Sequence, residues 1–163
     1  MSETPGIDPA MLERLRRGVP LVLARTGRFR FDGEDVTHAR VAQALRAGLD
    51  VNEAGEAIVH LGNQWCYLTV EDCPLRVTSV WENAGTLHVR LDDGRELPLP
   101  TQTLREEAEQ GLRIEVPSTR SGRTLAARFT NPASVELSTW IALDDDGNPA
   151  LQIGDTTHAI PHG

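Results

Sequence analysis

The chain has 163 residues, of which 39% are apolar and 25% charged, a balance typical of folded globular proteins that excludes a disordered one. Sixteen basic residues stand against 24 acidic ones, so the formal net charge is −8. This charge opposes binding to nucleic acid or to an anionic membrane surface, and we expect neither partner. The N-terminal apolar run at residues 19–24 is too short for a signal peptide or a membrane span, which predicts a cytoplasmic location.

Four segments carry the boundary residues of helices. A small polar residue accepts hydrogen bonds from the first-turn amides, and a glycine provides the left-handed exit. The segments run from Asp8-Pro9 to Gly18, from Thr37 to Gly48, from Thr101 or Thr103 to Gly111, and from Asn131 to the Asp144–Gly147 turn. The sequence therefore predicts four helices.

Between the helices, apolar and polar residues alternate, which is typical of β-strands. Turn sequences separate these strands at Asp32-Gly33, Gly62-Asn63, Asp92–Gly94, Ser118–Gly122 and Gly154-Asp155. Such short turns predict antiparallel hairpins. We therefore expect an α+β fold in which hairpins alternate with short helices that pack on the sheets.

The chain also has the pattern of an internal repeat. Residues 31–48 and 91–111 share the predicted order of a hairpin followed by a helix. We predict an N-terminal helix and lead-in at 1–24, a first half at 25–84, and a second half at 85–163 with the C-terminal helix and hairpin. Small halves bury little surface alone, so we expect them to share an interface whose groove is the ligand site.

The hairpin through Gly62-Asn63 carries the candidate site. Its two-residue loop fixes the register and sets His60 opposite Trp65. One face is apolar and is predicted to lie in the core: Ala57, Val59, Leu61, Cys66, Leu68 and Val70. The other face is mixed: Glu56, Ile58, His60, Trp65, Tyr67, Thr69 and Glu71.

Two interpretations of this mixed face stay open. The rings of Trp65 and Tyr67 could form the walls of a site for a small cationic or planar ligand, with Glu56 or Glu71 as the charge partner. Alternatively, the rings cover the sheet against a helix or a neighbouring half. The candidate ligand-binding residues are His60, Trp65, Tyr67, Glu71 and Asp72.

Glu71 and Asp72 have a structural alternative of their own. They either form a carboxylate pair at the groove or end the strand and cap the turn before Pro74. Strand alternation points their side chains in opposite directions, which disfavours a shared site. Both acids are also expected to raise the pKa of the Cys73 thiol beside them and keep it protonated.

The stretch Val70-Glu71-Asp72-Cys73-Pro74-Leu75 resembles the Val-Glu-Asp-small-Pro-aromatic signature of the bacterial domain-of-unknown-function family 1285. Residues 27–36 are similar to that family's opening hairpin, and residues 127–133 to its late strand-to-helix junction. Leu75 departs from the pattern, where the family has an aromatic residue. The resemblance implies a two-part α+β fold with repeated motifs and a role in signalling or regulation. It supplies no catalytic residue.

Two functional hypotheses follow. The first is a non-catalytic regulatory or signalling module that binds a small ligand or a protein partner, with a homo-oligomer as an open alternative. The second is a small acid–base enzyme that uses His60 with Glu71 or Glu56. The five histidines fit no metal-ligand spacing, and the sequence contains no phosphate-binding loop or nucleophile motif. We therefore predict no metal, no cofactor and no catalytic residue.

Overall fold

The computed structural model of the chain describes residues 9–162. In that range there are three α-helices, one short 3-10 helix and sixteen short strands. These residues form two compact units. Unit 1 takes the described residues up to Glu71 together with Ser118–Arg123, and unit 2 takes Asp72–Pro117 and the residues from Thr124 onward. The turn at Asn83–Gly85, where the sequence analysis set the boundary between halves, joins two strands of unit 2.

Unit 1 contains two helices and seven strands. They are α1 (Pro9–Arg17), β1 (Leu21–Leu23), β2 (Phe29–Phe31), β3 (Glu34–Asp35), α2 (Ala39–Ala47), β4 (Leu49–Val51), β5 (Ala57–Leu61), β6 (Gln64–Tyr67) and β7 (Thr69–Val70). The strands form two sheets, in the orders β3-β2-β1-β7 and β4-β5-β6. Helix α1 packs against β6, and α2 packs against β5. Leu23, Phe29 and Val59 are fully buried, so they anchor the core of this unit.

Unit 2 is built on a larger sheet. Its elements are β8 (Leu75–Asn83), β9 (Thr86–Leu91), β10 (Glu96–Pro98), the 3-10 helix (Thr101–Thr103), β11 (Arg105–Glu107), β12 (Gly111–Pro117), β13 (Thr124–Phe129), α3 (Asn131–Ser138), β14 (Ile141–Leu143), β15 (Pro149–Ile153) and β16 (Thr156–Ala159). Six strands lie in the order β10-β9-β8-β13-β12-β11, and β14-β15-β16 form a second sheet. Helix α3 packs on β8, where its Leu137 is fully buried.

The α+β class is confirmed, and short turns set the hairpin registers. Asp32-Gly33 sets Arg30 opposite Asp35, and the Asp92–Gly94 loop sets Arg90 opposite Glu96. The Gly62-Asn63 turn sets His60 opposite Trp65, as predicted. These turns specify register locally because their geometry fixes which residues face each other. No helix within residues 9–162 is both long enough and apolar enough to cross a membrane.

The helix predicted up to Gly111 is wrong. Only Thr101–Thr103 is helical there, as a 3-10 turn, and Arg105–Glu107 forms β11 against Gly111–Arg113 of β12. Glu109 and Gly111 have φ angles of 68° and 99°, which turn the chain back at this point. Sheet pairing therefore overrides the helix propensity of the acidic stretch. The second copy of the predicted repeat consequently lacks its helix.

The last helix is shorter than predicted. Helix α3 begins at Asn131 with Thr130 as its N-cap and ends at Ser138. Trp140 and Ile141 therefore lie beyond the helix, and Ile141 pairs with Leu151 in the sheet. The first two helices are confirmed, although Asp8, the predicted cap of α1, lies outside the described residues. Their predicted boundary residues are wrong: His38, not Thr37, precedes α2, and neither Gly18 nor Gly48 has the positive φ of a left-handed exit.

The two faces of the β5–β6 hairpin are less cleanly divided than predicted. Ile58 was placed on the mixed face but is only 6% exposed, because β5 is the central strand of its sheet and pairs with both β4 and β6. Leu61 was placed in the core but is 45% exposed, since it lies beside the turn at the end of the hairpin.

Candidate functional site

Two guanidinium groups of α1 lie over the two aromatic rings of β6. Arg16 Cζ is 4.0 Å from the centroid of the Trp65 ring, and Arg17 Cζ is 4.0 Å from that of Tyr67. The rings lie side by side because residues two apart in a strand share a face. Their centroids are 5.1 Å apart with an interplanar angle of 69°, an edge-to-face arrangement. Both cations are therefore in cation–π geometry.

Carboxylates complete this surface. Glu56 accepts hydrogen bonds from Arg17 Nη1 at 2.9 Å and Nη2 at 3.3 Å, and Glu13 accepts from Arg17 Nε at 3.0 Å. The hydrogen bonds from Arg17 and from Asn52 lower the pKa of Glu56, while the hydrogen bond that Tyr67 donates to Glu13 raises the pKa of Tyr67. We call the Glu56, Trp65 and Tyr67 surface the aromatic–acidic face. It has the composition of an arginine site, and the chain's own helix occupies it.

His60 has a different neighbour. Its Nε2 lies 4.0 Å from Oδ2 of Asp50, which is buried with 3% exposure. Asp50 also accepts hydrogen bonds from Ser121 Oγ at 2.7 Å and from the Val51 amide at 2.8 Å. Burial alone would raise the pKa of Asp50. The hydrogen-bond donors together lower this pKa by more than burial raises it, so it lies below its ordinary value.

The order of these three groups differs from that of a catalytic triad. In a triad the imidazole lies between the serine and the acid and removes the serine proton. Here the carboxylate of Asp50 lies between Ser121 and His60. A carboxylate with a lowered pKa is a weak base, so this arrangement does not activate Ser121 as a nucleophile.

Glu71 and Asp72 contact different partners. Glu71 accepts from the Arg25 amide at 3.1 Å and lies 3.7 Å from Arg30 Nη1. Asp72 accepts two hydrogen bonds from Arg128, both at 2.9 Å. Both acids lie in the bend after β7, which ends at Val70, so the predicted strand alternation does not apply to them, and their partners are separate. The two acids therefore do not form a pair.

Arg128 organises a buried network in unit 2. Besides Asp72, it donates to Glu107 Oε1 and to the Gly111 carbonyl, both at 2.8 Å. The hydrogen bond from Arg128 lowers the pKa of Glu107, and Arg128 itself is only 6% exposed. Burial, and then the charge of Asp72, raise the pKa of the Cys73 thiol. The direction and the role of Asp72 are as predicted, whereas Glu71 is not among the causes and burial is the largest one. Such a network holds strands together and leaves Cys73 an unreactive thiol.

Known proteins resemble this chain in fold but not detectably in sequence. No protein-family model matches the sequence, and no curated protein matches it significantly. A crystal structure of a DUF1285 family protein from Silicibacter pomeroyi DSS-3 aligns with 97% of this chain and 89% of its own, with a TM-score of 0.66 and 14% identity. The chain has the DUF1285 fold. A DUF1285 family protein from Shewanella baltica OS155 aligns with 75% of this chain and 92% of its own, with a TM-score of 0.57 and 14% identity.

Within this DUF1285-like fold, the predicted site residues separate into groups. Trp65 and Tyr67 lie together, and Arg17 connects Tyr67 to Glu56. His60, Glu71 and Asp72 each have partners of their own, as described above. Arg16 and Arg17 are not among the predicted site residues, although the cluster of arginines in the last turn of α1 is visible in the sequence.

Proposed function

We propose that the protein is a non-catalytic cytoplasmic regulatory module that binds an arginine-bearing segment of a protein partner on its aromatic–acidic face. The observation that carries this proposal is the pair of guanidinium groups 4.0 Å above Trp65 and Tyr67. A surface that binds two arginines of its own chain has the chemistry to bind two arginines of another protein. The net charge of −8 also favours a basic partner.

Helix α1 competes with that partner, and its attachment supports exchange. None of its residues is buried, and its apolar Met11 and Leu15 are 39% and 57% exposed. The side chains of Arg17 and Glu56 are also about half exposed, at 50% and 41%. Water and salt screen such contacts, and little apolar surface holds the helix in place. Binding is therefore regulated by how often α1 leaves the face.

The acid–base alternative has less support. Among the described residues, His60 lies within 4.0 Å of the Asp50 carboxylate and has no such approach to Glu56 or Glu71. Glu56 is bound by Arg17, and the pKa of its carboxyl is lowered, which weakens it as a base at neutral pH. The enzyme hypothesis stays a prediction that turnover of a metabolite would test.

Peptide titration tests the proposed binding. The probe is a peptide with the sequence of residues 9–17, and the readout is the NMR shift of the Trp65 indole N–H, identified by its loss in Trp65→Phe. In the wild-type chain, α1 leaves the face in an open state of up to about 10%, and the apparent affinity for the peptide is reduced to that fraction. An Arg16→Gln/Arg17→Gln variant frees the face, so we expect it to bind the peptide at least about tenfold more tightly than the wild-type chain.

Two controls accompany this titration. Arg14→Gln removes a charge from the same helix at a residue that stacks on neither ring, and it should leave the wild-type affinity unchanged. A peptide with glutamine at both arginine positions should not bind. Equal peptide affinity for the wild-type and the double variant, or binding by neither, would contradict the proposal.

A further inference from the structure

Unit 2 contains a cavity of about 220 Å³ that is separate from the aromatic–acidic face. Polar groups on its walls are the hydroxyls of Thr86, Thr101 and Thr156 and the imidazole of His158, and Leu87 and Leu99 contribute apolar surface. Leu87 and Leu99 are only 2% and 7% exposed, so they belong to the core and provide a fixed surface. The cavity therefore combines a rigid apolar part with polar walls.

The polar groups of this cavity have no protein partners. Within residues 9–162, neither the three hydroxyls nor the imidazole makes a hydrogen bond. This contrasts with the candidate site of unit 1, where Glu56, Tyr67 and Glu71 are all bonded. Thr86 and Thr156 are exposed, so water meets their hydroxyls in the free protein, and the hydroxyls of a bound molecule would replace that water.

The local fold brings these groups to one place. Thr86 follows the tight turn at Ala84-Gly85 and begins β9, and Thr101 begins the 3-10 helix after β10. Thr156 begins β16 after the Gly154-Asp155 turn, and His158 lies two residues further along the same strand, on the same face. Each threonine therefore lies at the start of a regular element, next to a turn, and the pairing of β16 with β15 fixes the position of His158.

We propose that this cavity binds a small neutral polyhydroxylated molecule of the size of a monosaccharide. Among residues 9–162, no Arg, Asp or Glu side chain lines it, so these walls offer no fixed counter-charge to an anion or an ammonium group. A cavity of about 220 Å³ has room for several water molecules, and therefore for a single sugar ring in their place. Ligand hydroxyls would bond to the threonines and His158, while its C–H groups would contact Leu87 and Leu99.

Three sugars with the same ring test this class. D-Glucose is neutral, D-glucuronate is anionic and D-glucosamine is cationic, and each is added at millimolar concentration to ¹⁵N-labelled full-length protein. We expect glucose to shift the amide signals of Thr86, Thr156 and His158, and the two charged sugars to shift them less. No shift with any sugar would overturn the proposal, and a larger shift with glucuronate would overturn the neutral class.

Neighbouring threonines on β16 provide a matched pair of variants. Thr156→Val removes a cavity hydroxyl with little change of shape and should weaken glucose binding by about threefold to tenfold. Thr157→Val makes the same change one residue along, on the other face of the strand, and should leave binding unchanged. Equal effects of the two variants would contradict the site. Because the aromatic–acidic face belongs to unit 1, neither result alters the peptide test of its function.

Discussion

Replacing Arg128 with methionine tests whether the Asp72 carboxylate has a structural role. The guanidinium donates four hydrogen bonds, two to Asp72, one to Glu107 and one to the Gly111 carbonyl. Methionine retains much of the apolar stem but donates none of these bonds. The variant therefore leaves the Asp72 carboxylate buried without its main partner.

The expected cost is large because water has little access to the pair. The side chains of Arg128 and Asp72 are 7% and 9% exposed. Removing one partner of a buried ion pair costs about 3–5 kcal/mol. In a domain of this size, each kcal/mol lowers Tm by about 2–4 °C. We therefore expect the Tm of the chain to fall by about 6–20 °C.

Calorimetry and urea unfolding measure this loss. Arg90→Met is the control, because its ion pair with Glu96 has side-chain exposures of 57% and 43%, and it should cost at most about 1 kcal/mol. An Asp72→Asn/Arg128→Met double variant should be more stable than Arg128→Met alone, since the amide carries no unpaired charge. A cost for Arg128→Met no greater than that of the control would refute the structural role and return Asp72 to the ligand-binding candidates.

Three further changes have defined outcomes. Gly48→Ala would make a Cβ collide with the His60 carbonyl oxygen, so we expect the NMR signals of folded unit 1 to be lost, whereas Gly33→Ala has open space and should cost only about 1–2 kcal/mol for its φ of 82°. Ala84 has a φ of 52° in its turn, and Ala84→Asn places there the Asn-Gly pair that such turns prefer. We expect the unfolding free energy, measured in urea, to rise by about 0.5–1 kcal/mol. A decrease in the unfolding free energy would show that the turn is not strained. The pKa of Asp50 lies below its ordinary 3.8, so its carboxylate stabilises the folded chain above that pH and the contribution is lost as pH falls through the lowered pKa. The stability difference between wild type and Asp50→Asn should therefore shrink in acid, and a difference that grows in acid would contradict this sign.

The local parts of the fold are readable from the sequence. The two-residue turn at Gly62-Asn63 pairs His60 with Trp65 because the turn alone decides the register. Pairings between distant segments are not readable in this way. Strand β1 lies parallel to β7, and β8 lies parallel to β13, and no local pattern indicates which strands meet across such distances.

The candidate site shows the same division. Strand alternation correctly places Trp65 and Tyr67 on one face and gives that face the chemistry of a cation site. The identity of the cations depends on where α1 packs, and its arginines are equally consistent with a solvent-exposed helix end. Arg128 also had a local signal, since an arginine within the otherwise apolar run Leu125–Phe129 needs a buried partner.

Unit 1 is built from two separate segments of the chain, so it cannot complete its fold until both have been synthesised. Asp50 is made early, but its Ser121 donor lies in the segment Ser118–Arg123, about 50 residues after Glu71. At about 5–20 residues per second, the ribosome supplies that segment roughly 3–10 s after the rest of unit 1. Until then the Asp50 carboxylate lacks the hydroxyl that offsets its burial, so a nascent chain or fragment that ends at Glu71 holds an incomplete core. The first half of the protein therefore reaches its native state only after much of the second half has been translated.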